Sequence, residues 1–186
     1  MRYLSILFFT GILFASCNNH PGNSEAVHTG PIAVSSDTVV STSCSFLTTN
    51  NKGNIVLSWV QGINDSLNIM CFAVSPDKGK TFGAAIEIPS SKNVYPHGEN
   101  MPKLIFKPNG EIIALWGAHN PNPENKYSGL VFYSQSFDEG KTWSNAKQLT
   151  TDIASNDQRY FDVDLLSNGE AGITWLDNRS ETNKEG

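Results

Sequence analysis

The sequence predicts an all-β fold of repeated four-stranded antiparallel sheets, and three observations support this. Short apolar runs alternate with turns in a chain that has 15 Gly and 9 Pro. An octapeptide of the form S-x-D-x-G-K-T-(F/W) occurs at residues 75–82 and again at 136–143, 61 residues later. A Gly, a short apolar run and a Trp also recur, at intervals of 57 and 59 residues, ending at Trp59, Trp116 and Trp175. A period of this length with four strand signals per unit predicts the blades of a β-propeller.

The composition argues against two other classes of protein. Hydrophobic residues make up 39% of the chain and charged residues 17%, which is too apolar and too weakly charged for a disordered chain. The net charge is −5, with 13 basic residues against 18 acidic ones and no run of Lys or Arg. Binding to nucleic acid is therefore not expected.

The N-terminus predicts export. Residues 4–14 form an apolar run that is too short for a stable membrane helix and is typical of the core of a secretory signal. The triplet Ala15-Ser16-Cys17 that follows resembles the lipobox of bacterial lipoproteins, although Phe14 stands where Leu, Val or Ile is usual. The resemblance implies a signal peptide over residues 1–16, acyl chains on Cys17, a flexible tether over residues 17–35, and anchoring to a bacterial membrane in the periplasm or at the cell surface. The alternative is an ordinary signal peptide with an incidental Cys.

The strand signals divide residues 36–186 into blades. Blade one is expected over about 38–88, with strands near 38–48, 54–60, 67–74 and 82–88. Blade two is expected over about 101–149, with strands near 101–106, 111–117, 128–135 and 143–149. Blade three is expected from about 160, with strands near 160–166 and 171–177. Since propellers have four to eight blades, we expect these two and a half blades to be the N-terminal fragment of a longer protein.

Each octapeptide has the residues of a stapled hairpin turn. Its Asp can accept hydrogen bonds from backbone amides of the turn, its Gly tolerates a positive φ, and its Thr hydroxyl can fix the far side. The aromatic residue at its end is expected to pack between neighbouring sheets. These residues are therefore predicted to be structural rather than catalytic: Ser75, Asp77, Gly79, Thr81 and Phe82 in the first copy, and Ser136, Asp138, Gly140, Thr142 and Trp143 in the second.

The two octapeptides resemble the Asp box, or BNR repeat, of sialidases and related propellers. The resemblance implies a sialidase-like propeller, six-bladed when complete, and a candidate exo-α-sialidase, a glycoside hydrolase that cleaves terminal acidic sugars. Asp boxes also occur in other glycoside hydrolases, in sorting receptors and in assembly factors, so the fold is better supported than the activity. A non-catalytic propeller that binds glycans or proteins remains the alternative.

One face of the predicted propeller gathers the candidate site. The octapeptides occupy the turns between third and fourth strands, so the loops between blades and between second and third strands lie on the opposite face. Arg159 and Arg179 lie there, and an Arg can hold the carboxylate of an acidic sugar through a bidentate fork. The predicted substrate-binding residues are Tyr95, His97, Glu99, His119, Arg159, Tyr160 and Arg179, and Asn100, Glu124 and Asp157 share their face.

The sequence leaves open whether the protein is catalytic. Asp162 and Asp177 are candidate acid/base residues, with turn capping as the alternative role. The stretch Asp177-Asn178-Arg179 after Trp175 resembles the W-x-D-x-R stretches of the sialidase-like superfamily. However, sialidases carry an early Arg-Ile-Pro motif, and this chain has no Arg between residues 18 and 158. His97 and His119 lack the spacing of metal ligands, so neither a metal nor another cofactor is expected.

The two cysteines of blade one are predicted to be unpaired. Cys44 falls on the first strand and Cys71 on the third, with the second strand between them. First and third strands lie roughly 9.6 Å apart, whereas a disulfide requires Cα atoms within about 7 Å. Both side chains are therefore expected to be buried as small apolar fillers.

Overall fold

The structure is a computed structural model that describes residues 41–123, 128–150 and 157–178. The chain divides into two units, residues 1–30 and 31–186, and all described residues belong to the second. The predicted signal peptide, Cys17 and tether lie outside the described residues, as do Glu124 and Arg179. Within the described ranges, no helix is long and apolar enough to cross a bilayer.

Blade one is a four-stranded antiparallel sheet in sequence order. Its strands are β1 (Thr42–Thr49), β2 (Ile55–Asn64), β3 (Leu67–Val74) and β4 (Ile86–Ile88), followed by a 3-10 helix at Pro89–Ser91. The fourth strand begins later than residue 82, where the sequence placed it, because β3 pairs with it only over Met70–Phe72. Ser91 closes this end of the blade: its hydroxyl accepts from the Met70 amide at 2.8 Å and donates to the Ile88 carbonyl at 2.7 Å.

Blade two repeats this topology, and the first two strands of blade three follow it. Blade two contains β5 (Lys103–Phe106), β6 (Ile112–His119), β7 (Gly129–Ser136) and β8 (Lys147–Gln148). Blade three contains β9 (Phe161–Leu165) and β10 (Ala171–Trp175), paired antiparallel. The predicted all-β fold with four-stranded antiparallel blades is therefore confirmed.

The core lies between the blades. Val60 and Phe72 of blade one pack with Leu104 and Trp116 of blade two in one buried cluster. On the other face of blade two, Leu115 and Val131 pack with Phe161 and Ile173 of blade three. Blade two is thus apolar on both faces, which explains why every residue from Ile112 to Ala118 is buried.

The two octapeptide turns, residues 75–82 and 136–143, share one hydrogen-bond pattern. In the first, the Thr81 amide and hydroxyl donate to the two carboxylate oxygens of Asp77 at 2.8 and 2.7 Å. In the second, Thr142 makes the same pair of bonds to Asp138, at 2.8 and 2.6 Å. In each copy the Ser hydroxyl accepts from the Gly amide, and φ is +88° at Gly79 and +86° at Gly140. The predicted hydrogen bonding of these turns is present in both.

The aromatic residues that end the two turns differ in their packing. Trp143 lies between blades as predicted, edge-on to Phe72 of blade one with ring centroids 6.4 Å apart. Phe82 instead packs with Trp59 and Cys71 on the other face of its own blade. Among the described residues no neighbouring blade packs on that face, so the packing of Phe82 between sheets stays a prediction.

Cys44 and Cys71 are both free, as predicted. Cys71 is fully buried, but Cys44 is only half-buried, so the prediction of burial was wrong for Cys44. The reason is a bulge: the pairing of β1 with β2 shifts between Ser43 and Phe46, and Cys44 there has a φ of +55°.

Candidate functional site

A pocket of about 130 Å³ lies on the face opposite the octapeptide turns. It is formed by the end of β6, the start of β7, and the loops that precede β5 and β9. It brings together six residues that the sequence placed on this face: Tyr95, His97, Asn100, His119, Arg159 and Tyr160. The predicted clustering of these loops is therefore present, and concave clefts of this kind are where ligands bind.

Arg159 is held in this pocket by Asp157. The Arg159 Nε donates to Asp157 Oδ2 at 2.7 Å, and Nη2 pairs with the same oxygen. The other oxygen, Oδ1, accepts from the Gly129 amide at 2.7 Å, and the Asp157 amide donates to Asn178 Oδ1 at 2.7 Å. The hydrogen bond to Asp157 raises the pKa of the Arg159 guanidinium, against the opposing effect of burial. The Arg159 side chain, which is 40% exposed, therefore lines the pocket as a cation held in place by Asp157.

Two glycines make room for the polar residues of the pocket. A Cβ on Gly129 would lie 2.6 Å from Arg159 Cδ, and a Cβ on Gly117 would collide with the Asn100 amide nitrogen. Asn100 is buried, and its Oδ1 accepts from the Phe161 amide at 3.4 Å. Both glycines are at strand ends beside the pocket, where the absence of a side chain lets Arg159 and Asn100 lie directly against the backbone.

Aromatic rings line the rest of the pocket. The Tyr95 ring packs on His119 with centroids 4.0 Å apart, and it also stacks with His97 at a centroid distance of 6.2 Å. The Arg159 Cζ lies 5.9 Å from the centroid of Tyr160. Tyr95 and Tyr160 are 42% and 41% exposed, so both rings present apolar surface to solvent.

Three predicted residues are not among those that line the pocket. Asp162 Oδ1 accepts from Lys103 Nζ at 2.6 Å, and this bond lowers the pKa of the Asp162 carboxyl. Asp177 lies after β10, 3.4 Å from the Trp175 indole nitrogen, and Glu99 is exposed. The acid/base roles of Asp162 and Asp177 and the substrate contact of Glu99 stay predictions.

The sequence reasoning did not identify Gly117, Ser128 or Gly129 as pocket residues. Gly117 interrupts the apolar run of β6, and Gly129 is the first residue of β7. A Gly within a strand is the sequence signal that marks a close approach of other atoms to the backbone. Among the described residues there is no group of three or more His, Cys, Asp or Glu side chains that could hold a metal ion.

Comparisons with known proteins support the fold. No protein-family model matches the chain, and no curated protein matches it. Among solved structures, an α-L-arabinanase from Penicillium chrysogenum, complexed with arabinobiose, is 16% identical with a TM-score of 0.50, over 73% of this chain and 41% of that one. A Hadza microbial sialidase is 16% identical with a TM-score of 0.47, over 73% of this chain and 35% of that one. The chain thus spans less than half the length of either structure, and the likeness to the arabinanase supports the β-propeller fold.

Proposed function

We propose that the chain is part of a glycan-acting β-propeller and that the pocket at Arg159 binds a sugar residue. The observation that carries this proposal is the combination of two exposed tyrosine rings with a fixed guanidinium in one pocket. A sugar ring has an apolar C–H face and a rim of hydroxyl groups. Aromatic rings match the first, and side-chain donors such as Arg159, Asn100 and His119 match the second.

More specifically, we propose that the bound sugar is acidic, as is the substrate of an exo-α-sialidase. Asp157 accepts from Nε and Nη2 of Arg159 through a single oxygen, Oδ2. The guanidinium has five N–H groups, so its Nη1 edge keeps donors for a ligand carboxylate. Support for the cleaving activity itself comes from the resemblance of the octapeptides to Asp boxes.

A non-catalytic glycan-binding protein is the second candidate. Glycoside hydrolysis requires a group that protonates the leaving oxygen, and a carboxylic acid is the usual one. None of the described residues that line the pocket carries a carboxyl group; Asp157 accepts a hydrogen bond from Arg159 but is not one of them. This observation favours binding over cleavage for the part of the pocket that the structure describes.

Calorimetry with 3′-sialyllactose, lactose and arabinobiose tests the proposal. We expect the purified protein to bind 3′-sialyllactose more tightly than lactose, and Arg159→Lys to weaken that binding about tenfold, because Lys cannot form the fork. Lys80→Ala, an exposed change on the opposite face, is the matched control and should bind as wild type does. If wild type binds no saccharide, the proposed function is wrong.

Binding and cleavage can then be separated with the same protein. Release of 4-methylumbelliferone from its sialic acid glycoside reports exo-sialidase activity. Tight binding of 3′-sialyllactose without release would support the non-catalytic candidate. Equal binding by wild type and Arg159→Lys would contradict a carboxylate contact at Arg159.

We also propose that the protein is a membrane-anchored bacterial lipoprotein. The support is the apolar run of residues 4–14 followed by Ala15-Ser16-Cys17. Two or more acyl chains anchor a protein stably, whereas one does not. In a bacterial host, Cys17→Ser should therefore move the protein from the membrane fraction to the soluble fraction. Membrane association that survives this substitution would contradict the proposal.

A further inference from the structure

A second cavity lies between blades one and two, on the face of the octapeptide turns. Its volume is about 270 Å³, and the turn between β1 and β2 forms part of it, together with the second octapeptide turn. Its apolar lining consists of Phe72, Val74, Ile86, Phe106 and Ile112. An apolar cavity of about 150 Å³ accommodates a benzene ring, so this one has room for a ring and for polar groups attached to it.

A difference between two repeats explains why this cavity is open. Asn50 of blade one corresponds to Lys107 of blade two, because each stands three residues before the positive-φ glycine of its turn. The Lys107 side chain reaches from blade two to Glu170 of blade three at 2.8 Å and is largely buried. The shorter Asn50 side chain instead turns back, and its Oδ1 accepts from two backbone amides of its own turn at 3.0 and 2.9 Å. The space that a long side chain fills at the second interface is therefore left open at the first.

Two opposite charges line this cavity beside its apolar surface. Lys52 Nζ donates to Glu139 Oε1 at 2.6 Å, and both side chains are mostly exposed. The hydrogen bond from Lys52 lowers the pKa of the Glu139 carboxyl, so the carboxylate stays ionised at neutral pH. Exposed ion pairs of this kind contribute little to stability, so a ligand can separate the two side chains at small cost.

We infer that this cavity is a binding site for a free α-amino acid with a large apolar side chain. The side chain of the ligand lies against the apolar lining, its carboxylate pairs with Lys52, and its ammonium group pairs with Glu139. A ligand with a single charge would leave one of the two side chains without its partner, so the site favours a zwitterion. The site lies on the face opposite the pocket at Arg159, and the inference does not rest on the proposed function.

Calorimetry with a short series of small molecules tests the chemistry of the ligand. We expect the purified protein to bind L-phenylalanine and L-leucine. Glycine has both charges but no side chain and should bind at least about tenfold more weakly, because no apolar surface is buried. Phenylacetate and phenethylamine each lack one charge and should bind about fivefold more weakly than L-phenylalanine. Equal binding of either compound would overturn the recognition of a zwitterion, and failure of both amino acids to bind would overturn the site.

Two exposed substitutions test where the amino acid binds. Lys52→Gln and Glu139→Gln each remove one charge and should weaken the binding of L-phenylalanine about fivefold. Glu170→Gln is the matched control: it removes an exposed carboxylate that also pairs with a Lys of the neighbouring blade, and it should bind L-phenylalanine as wild type does. Wild-type affinity in both cavity variants would overturn the position of the site. Binding of 3′-sialyllactose should be the same in all four proteins, so failure of this site and failure of the proposed function are measured separately.

Discussion

At the scale of single residues, Asp138 shows how one carboxylate holds a turn. Hydrogen bonds from the hydroxyl and amide of Thr142 lower the pKa of Asp138 to about 2. An unperturbed Asp has a pKa of about 3.9. Because the folded pKa is depressed, the stabilisation is present above the unfolded pKa and is lost as pH falls towards 2.

Asp138→Asn should therefore change how the Tm depends on pH in the acidic range. We expect a lower Tm than wild type at pH 7 and a shallower fall of Tm between about pH 4 and pH 2, because the variant has no carboxylate there to protonate. Thermal unfolding followed by circular dichroism over that range measures both. Parallel curves for the two proteins would contradict the role of the carboxylate, and altered saccharide affinity would contradict its distance from the pocket.

Cys71 and Cys44 should differ in reactivity. Burial, with a smaller effect of Glu87, raises the pKa of the Cys71 thiol to about 12, so almost no thiolate exists at pH 8. We expect iodoacetamide to label Cys44 in the native protein and to label Cys71 only after unfolding. Mass spectrometry of unreduced peptides reads out the labels. A peptide pair crosslinked through Cys44 and Cys71 would contradict the order of β1, β2 and β3.

At the scale of strands and turns, the positions of the strands could be predicted because they depend on the local pattern of apolar and turn residues. Apolar runs with turn residues at their ends located all ten strands of the described ranges, because a strand that packs on both faces is apolar along most of its length. The fourth strands were predicted too long. β4 pairs with β3 over three residues and β8 pairs with β7 over two. The residues between each octapeptide turn and these short strands are not part of a strand.

The pocket was predictable only in part, for a related reason. The topology of the blades determines which loops share a face, so the grouping of Tyr95, His119 and Arg159 followed from the sequence. The hydrogen bond from the Gly129 amide to Asp157 and the close approach of Arg159 to Gly129 depend on how the segment before β9 packs on the start of β7. No local pattern encodes such packing.

Trp143 links an octapeptide turn to the core between two blades. Its ring lies edge-on to Phe72, and its Nε1 donates to the Gly140 carbonyl at 3.0 Å. We expect Trp143→Ala to lower the free energy of unfolding by about 2–4 kcal/mol, through lost aromatic packing and the cavity left behind. Phe137→Ala, in the same turn but with its side chain 73% exposed, should change it little. Urea unfolding compares the two, and equal losses would contradict the packing.

At the scale of the whole described structure, ion pairs join the turns of neighbouring blades. Lys52 of blade one pairs with Glu139 of blade two at 2.6 Å, and both side chains are mostly exposed. Lys107 of blade two pairs with Glu111 of its own blade at 3.1 Å and with Glu170 of blade three at 2.8 Å. The second link differs from the first because Lys107 and Glu111 are largely buried.

The charge of Glu111 depends on its partners. Burial raises the pKa of this carboxyl, but hydrogen bonds from Gln135 and Lys107 outweigh it, and the net pKa is lowered. Removing Lys107 takes away two of the effects that lower this pKa, so the folded pKa of Glu111 should be higher in the variant than in wild type. Because the folded pKa is higher in the variant than in wild type, the difference in the free energy of unfolding between the two proteins is largest above both folded pKa values and shrinks as pH falls through them.

Lys107→Met should therefore be destabilising in a way that depends on pH. At pH 7 it leaves a buried carboxylate without its counter-charge, and we expect a clear loss in the free energy of unfolding. As pH falls from 7 towards 4, Glu111 takes up a proton in the variant. The difference in the free energy of unfolding between Lys107→Met and wild type should therefore become smaller. Glu170→Gln, which removes only the exposed partner, should cost less than about 1 kcal/mol at pH 7. Urea unfolding at pH 4, 5.5 and 7 tests all three proteins, and a gap that stays constant with pH would show that Lys107 acts through packing rather than charge.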